Sequence, residues 1–208
     1  VRARLLADPR ARPLGGRKAD LFTLPGFIGA DRCRELVAII EERATPSPLF
    51  NDSPTGRKGI RTSSTHYFRD DPRALLLGEQ IDALLGLDRA NAEPMQGQRY
   101  CLGEEYRVHR DHFLEDREHW QRERLRGGQR SWTAMIYLNE VEAGGTTDFP
   151  DLGLSIRPET GMLLAWNNMD RRGRPNKATR HGGRPVEVGS KYIVTQWYRL
   201  EAHNWGPE

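Results

Sequence analysis

The sequence predicts a mainly β fold, a sandwich or jelly roll, with N-terminal helices packed on one sheet. Two observations carry that expectation. Apolar residues in the first third recur with the 3.6-residue period of helices, and from about Met95 the period changes to two. Thereafter short alternating runs follow one another at close spacing, separated by turn residues. A chain of 208 residues is long enough for one well-buried domain, and it contains no internal repeat.

Residues 1–20, opening VRARLLADPRARPLGGRK, lack periodicity and read as a basic arm or a short leading helix ahead of a single domain over 21–208. LFTLPGF gives a strand-like entry. Asp31 can cap a helix in which Cys33, Leu36, Val37 and Ile40 fall at i, i+3, i+4 and i+7, one core-facing stripe. PSPLFNDSPTGRKG is dense in turn formers, so the segment 46–60 is expected as a long loop, of the kind that often serves as a lid. Strand-like RTSSTHYF follows at once. Asp71 before Pro72 signals a second helix start, with Leu77, Ile81 and Leu84 on one face and Gly86 at the stop. In the β region the clearest strand is 132–138, where Trp132, Ala134, Ile136 and Leu138 alternate with Thr133, Met135 and Tyr137. Further strands are expected at 106–109, 162–166, 186–188 and 191–199. The charged run EDREHWQRERLRGGQ between Phe113 and Arg130 is helical in composition.

Composition excludes several classes. Hydrophobic residues make up 37% of the chain, and 21 glycines bring the apolar share near the globular norm, which argues against wholesale disorder. No stretch reaches the ~18 apolar residues of a membrane span, and no apolar leader opens the chain. Two cysteines, Cys33 and Cys101, are too few for a disulfide framework or a thiolate zinc site, and a reducing cytoplasm is expected. The net charge of +3 does not call for nucleic acid. One basic run, 167–184, carries five Arg and one Lys against the single acid Asp170; it reads as a solvated loop or as a surface that steers an acidic substrate.

The residues with chemical potential begin with His109-Arg110-Asp111 at the end of a predicted strand, a pair that alone is a common surface turn. A third candidate, His181, lies before two further strands. Two imidazoles and one carboxylate can occupy one face of an iron(II) octahedron and leave three positions open for a bidentate co-substrate and oxygen. A bidentate 2-oxo acid also needs its far carboxylate held by a cation near the metal. Lys191 supplies one, ten residues after His181 across the turn-forming Gly189, where a hairpin would return it beside the metal. A strand lysine taken alone is more often a solvated edge residue.

At these residues the sequence resembles the prolyl 4-hydroxylase-like iron(II) and 2-oxoglutarate-dependent dioxygenases. The resemblance runs from about Leu21 to Leu200. Its pieces are PGF, RTSS, YCLGEEYRVHRDHF from Tyr100 to Phe113, YLNEVEAGGTTDFP, PETGMLLAW and HGGRPVEVGSKYIVTQWYR. It implies a double-stranded β-helix, the cupin-like jelly roll, with His109, Asp111 and His181 on Fe(II). It also implies Lys191 on the distal carboxylate of 2-oxoglutarate, with the hydroxyls of Tyr100 and Thr147 beside it. The implied reaction consumes 2-oxoglutarate and O2, releases succinate and CO2, and hydroxylates an unactivated C–H, C4 of a prolyl residue in a peptide or protein, with ascorbate as reductant. The sequence departs from the family where Gly144-Gly145-Thr146-Thr147 replaces the common Gly-Gly-Glu-Thr.

For contact with substrate, four residues are candidates. Tyr106 could face the cleft or the core. Trp197 and Arg199 share a strand face with Lys191, although an aromatic there is usually core packing. Arg61, ending the long loop, could meet a peptide carbonyl or solvent. On a strand His112 points opposite to Asp111, so it is expected behind the ligands or at the surface. His66, His119 and His203 have no partners at metal spacing, and Cys33 is expected to be inert. Other readings stay open. One is a hydroxylase of another amino acid or a small molecule; another, the nucleic-acid demethylase branch, resembles an arginine-anchored site instead. A zinc hydrolase and a non-catalytic jelly-roll binding module complete the set.

Overall fold

A computed structural model describes residues 1–47 and 61–202, so nearly all of the expected lid at 46–60, and His203, lie outside the described residues. In chain order the first part contains α1 (Arg2–Ala7), β1 (Arg12–Pro13), β2 (Leu21–Leu24), α2 (Ala30–Arg43), β3 (Thr45–Pro46), β4 (Ser64–Phe68) and α3 (Pro72–Leu85). The second part contains β5 (Met95–Tyr100), β6 (Tyr106–His109), α4 (His119–Leu125), β7 (Arg130–Tyr137), β8 (Ala143–Gly144), β9 (Thr147–Phe149) and β10 (Leu154–Ile156). It closes with β11 (Leu163–Asn167), β12 (His181–Gly183), β13 (Val186–Val188) and β14 (Lys191–Arg199).

The helices form for the reasons legible in their ends and stripes. In α3 the Asp71 side chain accepts a hydrogen bond from the Arg73 amide at 2.9 Å, Pro72 occupies the first turn, and Gly86 ends the helix with a left-handed φ of 68°. Helix α2 starts differently from expectation. Its cap is Gly29, without a side-chain bond, and Asp31 sits inside the first turn paired with Arg34. The amides of Phe27 and Ile28 both bond the carbonyl of Gly161, and this anchor fixes where the helix can begin. Its buried stripe is Cys33, Leu36, Ile39 and Ile40, with Val37 at the margin. The helix lies so close to the sheet that a Cβ on Gly97 would stand 2.5 Å from Ile40 Cγ1.

The strands build a major sheet in the order β1-β2-β11-β7-β14-β5-β4-β3 and a minor sheet β10-β9-β12-β6, with β13 and β8 as a separate pair. The central strands of the major sheet are buried on both faces, and the alternation along β7 divides between them. Trp132, Ala134, Ile136 and Leu138 enter the core beneath α2 and α3. Met135 and Tyr137 enter a second core with Tyr100, Phe149, Leu164 and Trp166, between the two sheets, which is the interior of the expected jelly roll.

Two expectations are corrected. Of the two readings of residues 1–20 the short leading helix is the one found, and not a free arm: Leu5 of α1 is fully buried in the helix-side core, and β1 pairs with β2 at the sheet edge. Nor do β13 and β14 form a hairpin. The turn at Gly189, with φ 80°, carries the chain between layers, because β13 pairs with β8 while β14 inserts between β5 and β7.

Candidate functional site

His109 and His181 face one another as register partners across the antiparallel pair β6 and β12. Their ring centroids are 4.4 Å apart. Asp111 follows β6 directly, and its Oδ1 lies 3.7 Å from His109 Nε2 and 3.8 Å from His181 Nε2. Ligating atoms of all three residues fall within 4.8 Å of one another. This donor set, two nitrogens and one oxygen, suits a divalent metal that keeps open positions.

The imidazoles are oriented by their own backbone. His109 Nδ1 lies 2.8 Å from the Arg107 carbonyl and His181 Nδ1 lies 3.0 Å from the Thr179 carbonyl, so each Nδ1 carries the proton and each Nε2 presents its lone pair inward. Burial, reinforced by His181, pushes the His109 pKa down to about 3 and keeps its ring neutral. Behind His181 stand Trp166 and Phe149, with centroids 4.7 and 5.3 Å away. For Asp111, burial favours the neutral acid, but His181, His109, Arg130 and the Thr133 hydrogen bond outweigh it and hold the carboxyl below its usual range. The Thr133 hydroxyl donates to Asp111 Oδ2 at 2.7 Å, and Asn168 Nδ2 donates to that hydroxyl at 2.9 Å.

Lys191 heads β14 opposite Tyr100, its register partner on β5. Its side chain is buried, and its Nζ would be 3.7 Å from a Cβ on Gly183, two residues beyond His181. The ammonium donates to Thr147 Oγ1 at 3.3 Å, which also accepts from the Tyr137 hydroxyl at 2.7 Å. The rings of Tyr100 and Tyr137 lie 5.7 and 5.4 Å from it. No carboxylate among the described residues pairs with it, and burial, opposed only by Asp148, pushes its pKa down to about 7. An uncompensated ammonium walled by hydroxyls and aromatic rings fits a carboxylate.

The other sequence candidates separate. Tyr106 stacks on His109 at 3.6 Å with 14° between planes, and the Arg61 guanidinium covers its ring at 5.2 Å while donating to Ser63 and Thr65. Both therefore form a wall of the site. Trp197 lies under Arg130, 4.5 Å from ring centroid to guanidinium. Arg199 does not face the opening. The register shift beside it skips Ser131 of β7 and leaves β14 continuous, but its guanidinium is consumed by Glu93 at 2.5 Å, Glu123 at 2.6 Å and the Gly128 carbonyl at 2.7 Å. His112 is buried behind Asp111, and burial lowers its pKa.

Sequence reasoning missed Arg130, Thr133, Tyr137 and Asn168. Arg130 donates twice to Glu93 at 2.6 Å and reaches Asp111 and Tyr106 electrostatically. Thr133 and Tyr137 had a signal: they place hydroxyls on the second face of the strand whose first face is wholly apolar. Asn168 had none, since its role depends on a partner 35 residues away.

Residues 95–199, half of the chain, match the family model described as the 2OG-Fe(II) oxygenase superfamily. Over 156 residues, 74% of this chain and 29% of the relative, the sequence is 34% identical to prolyl 4-hydroxylase subunit alpha-1 of Homo sapiens. Over 177 residues, 81% of this chain and 31% of the relative, it is 36% identical to human prolyl 4-hydroxylase subunit alpha-3. The chain thus spans a third or less of the length of these curated relatives. Among solved structures, the 2OG complex of viral collagen prolyl hydroxylase from Paramecium Bursaria Chlorella virus-1 aligns with a TM-score of 0.69 and 26% identity, covering 89% of this chain and 98% of that one. A Trichoplax adhaerens prolyl hydroxylase, in complex with a hypoxia inducible factor peptide fragment, aligns with a TM-score of 0.65, covers 89% of this chain and 85% of that one, and at 19% identity shows the fold alone. That fold is the double-stranded β-helix.

Proposed function

Because the chain belongs to the 2-oxoglutarate and iron(II)-dependent oxygenase superfamily, we propose that it hydroxylates a prolyl residue of a peptide or protein at C4. The observation that carries this reading is the juxtaposition of two charged features. Three inward-facing donor atoms, from His109, Asp111 and His181, suit iron. Beside their strand lies Lys191, a buried ammonium without an anion. Bound iron would let 2-oxoglutarate give O2 the two electrons that activate it for attack on an unactivated C–H, with succinate and CO2 as products and ascorbate as the reductant that maintains the iron.

The protein's own part is placement. Lys191 and Thr147 receive the distal carboxylate, with Tyr137 and Tyr100 beside them, so the oxo-acid end points toward the donor atoms. Thr179 and Arg107 hold the two imidazoles in the tautomer that leaves Nε2 free. We place the prolyl substrate against the wall that Tyr106 and Arg61 form, with Trp197 buried beneath Arg130. The curated relatives named above are prolyl 4-hydroxylase subunits, which supports proline as the target. Among the described residues no helix is long and apolar enough to cross a membrane, and the two free thiols suit the reducing cytoplasm we assign to it.

An anaerobic titration tests the reading. Metal-free protein given iron(II) and 2-oxoglutarate is expected to develop the visible charge-transfer band of a chelated 2-oxo acid, and Asp111→Ala is expected to lack it. Absence of the band in the wild type, with both components in excess, would overturn the assignment. Turnover of proline-containing peptides, read by the mass of one added oxygen, then tests the substrate.

A further inference from the structure

Asp111 offers two oxygens, and the structure treats them differently. Oδ1 is the atom that lies 3.7 and 3.8 Å from the two Nε2 atoms. Oδ2 accepts the Thr133 hydroxyl at 2.7 Å, and Thr133 Oγ1 accepts Asn168 Nδ2 at 2.9 Å. An amide NH2 can only donate, and a hydroxyl has one proton, so the Thr133 proton is committed to the carboxylate. The opposite amide orientation would leave that hydroxyl facing two acceptors with one proton. Asn168 and Thr133 are completely buried, and Asp111 is nearly so. Asn168 is also held by its main chain, whose N–H donates to the Ser131 carbonyl at 2.7 Å and whose carbonyl accepts from the Asn176 amide at 2.8 Å.

We propose that Asn168 and Thr133 are positioning residues that confine Asp111 to one-oxygen ligation and so keep a third coordination position open for a small molecule. The inference rests on the reading of His109, Asp111 and His181 as metal ligands. A six-coordinate metal held by three protein atoms has three positions left. A bidentate oxo acid takes two and O2 needs the last. If Asp111 gave both oxygens, the protein would hold four positions, and the oxo acid would fill the site. Burial makes the device effective, because no water competes with Thr133 for Oδ2.

The test uses Mn(II) as the metal and counts its exchangeable waters by water-proton relaxation, a readout independent of turnover. In Thr133→Val, nearly the same shape without the hydroxyl, the relaxivity per bound Mn(II) is expected to fall by about one third, as three open positions become two. With saturating 2-oxoglutarate the wild type should keep a relaxing water and Thr133→Val should keep none. Thr133→Ser, which restores the hydroxyl, should restore both signals. Unchanged relaxivity in Thr133→Val with Mn(II) bound would overturn the proposal and leave the metal site standing. A wild type that binds no Mn(II) overturns both. If Thr133→Val does not fold, Asn168→Ala decides: a fall in bound-metal relaxivity supports the relay, and the wild-type value overturns it.

Discussion

Lys191 is buried with no carboxylate paired to it among the described residues, and a ligand carboxylate is its proposed counter-charge. Burial holds its pKa near 7, so above that pH the side chain of the free protein is increasingly neutral. A carboxylate against Nζ favours the charged form, so binding takes up a proton at higher pH. The apparent Kd for 2-oxoglutarate, measured by calorimetry with Mn(II) present, should therefore rise about tenfold per pH unit above 7 and level off below it. In Lys191→Met the slope should vanish and the affinity should fall at every pH, while Mn(II) still binds; a retained slope would place the anchor elsewhere. Asp111→Ala, by contrast, should lose Mn(II) binding itself. The closeness of Lys191 to the strand of His181 was expected from the sequence, although the hairpin that was to bring it there does not form. Arg130 was not legible there, because its meaning lies in Glu93, a partner 37 positions away that becomes its neighbour only through the sheet. Arg199 misled for a related reason: Glu93 and Glu123, distant in the sequence, hold its guanidinium in buried ion pairs.

Elements whose ends carry their own chemistry were read nearly to the residue. Asp71, Pro72 and Gly86 delimit α3 as anticipated, and Asp71→Ala should cost about 1 kcal/mol of stability in a urea titration. Elements placed by tertiary contacts were read less well, as the start of α2 shows, since the Gly161 carbonyl decides it from across the fold. In helix α4 the one buried residue is Glu123. Glu123 enters the interior to meet Arg199 at 2.6 Å, while its neighbour Leu125 is 80% exposed. Without Glu123, Glu93 alone would offset both Arg199 and Arg130, so Glu123→Ala should destabilise the protein by up to about 3 kcal/mol. The same variant should expose α4 to limited proteolysis, and intact protection would show that other contacts hold it.

Across the molecule, Glu93, Glu123, Arg130 and Arg199 form a buried ionic knot in which two carboxylates stay charged. Burial alone would raise both pKa values; the arginines reverse this and bring them below the usual 4.5. In the unfolded chain these acids bind protons at higher pH than in the fold, so their stabilisation is complete above about 4.5 and is lost as pH falls further. Urea midpoints measured from pH 7 to pH 3 should decline below that point, and Glu123→Gln should flatten the decline. The layering of the fold was legible because the change of period at Met95 reports it, and β7 announced two faces by alternating two kinds of residue. Strand order was not legible, since β14 reaches β5 and β7 across the chain rather than its neighbour β13. Because β7 and β14 carry Thr133, Tyr137 and Lys191 on one face and helix-side core on the other, these residues share the stability of the major sheet. Heat should abolish the proposed activity at the temperature where the major sheet melts, without an earlier phase of inactive but folded protein, and ageing of activity should follow the global unfolding rate.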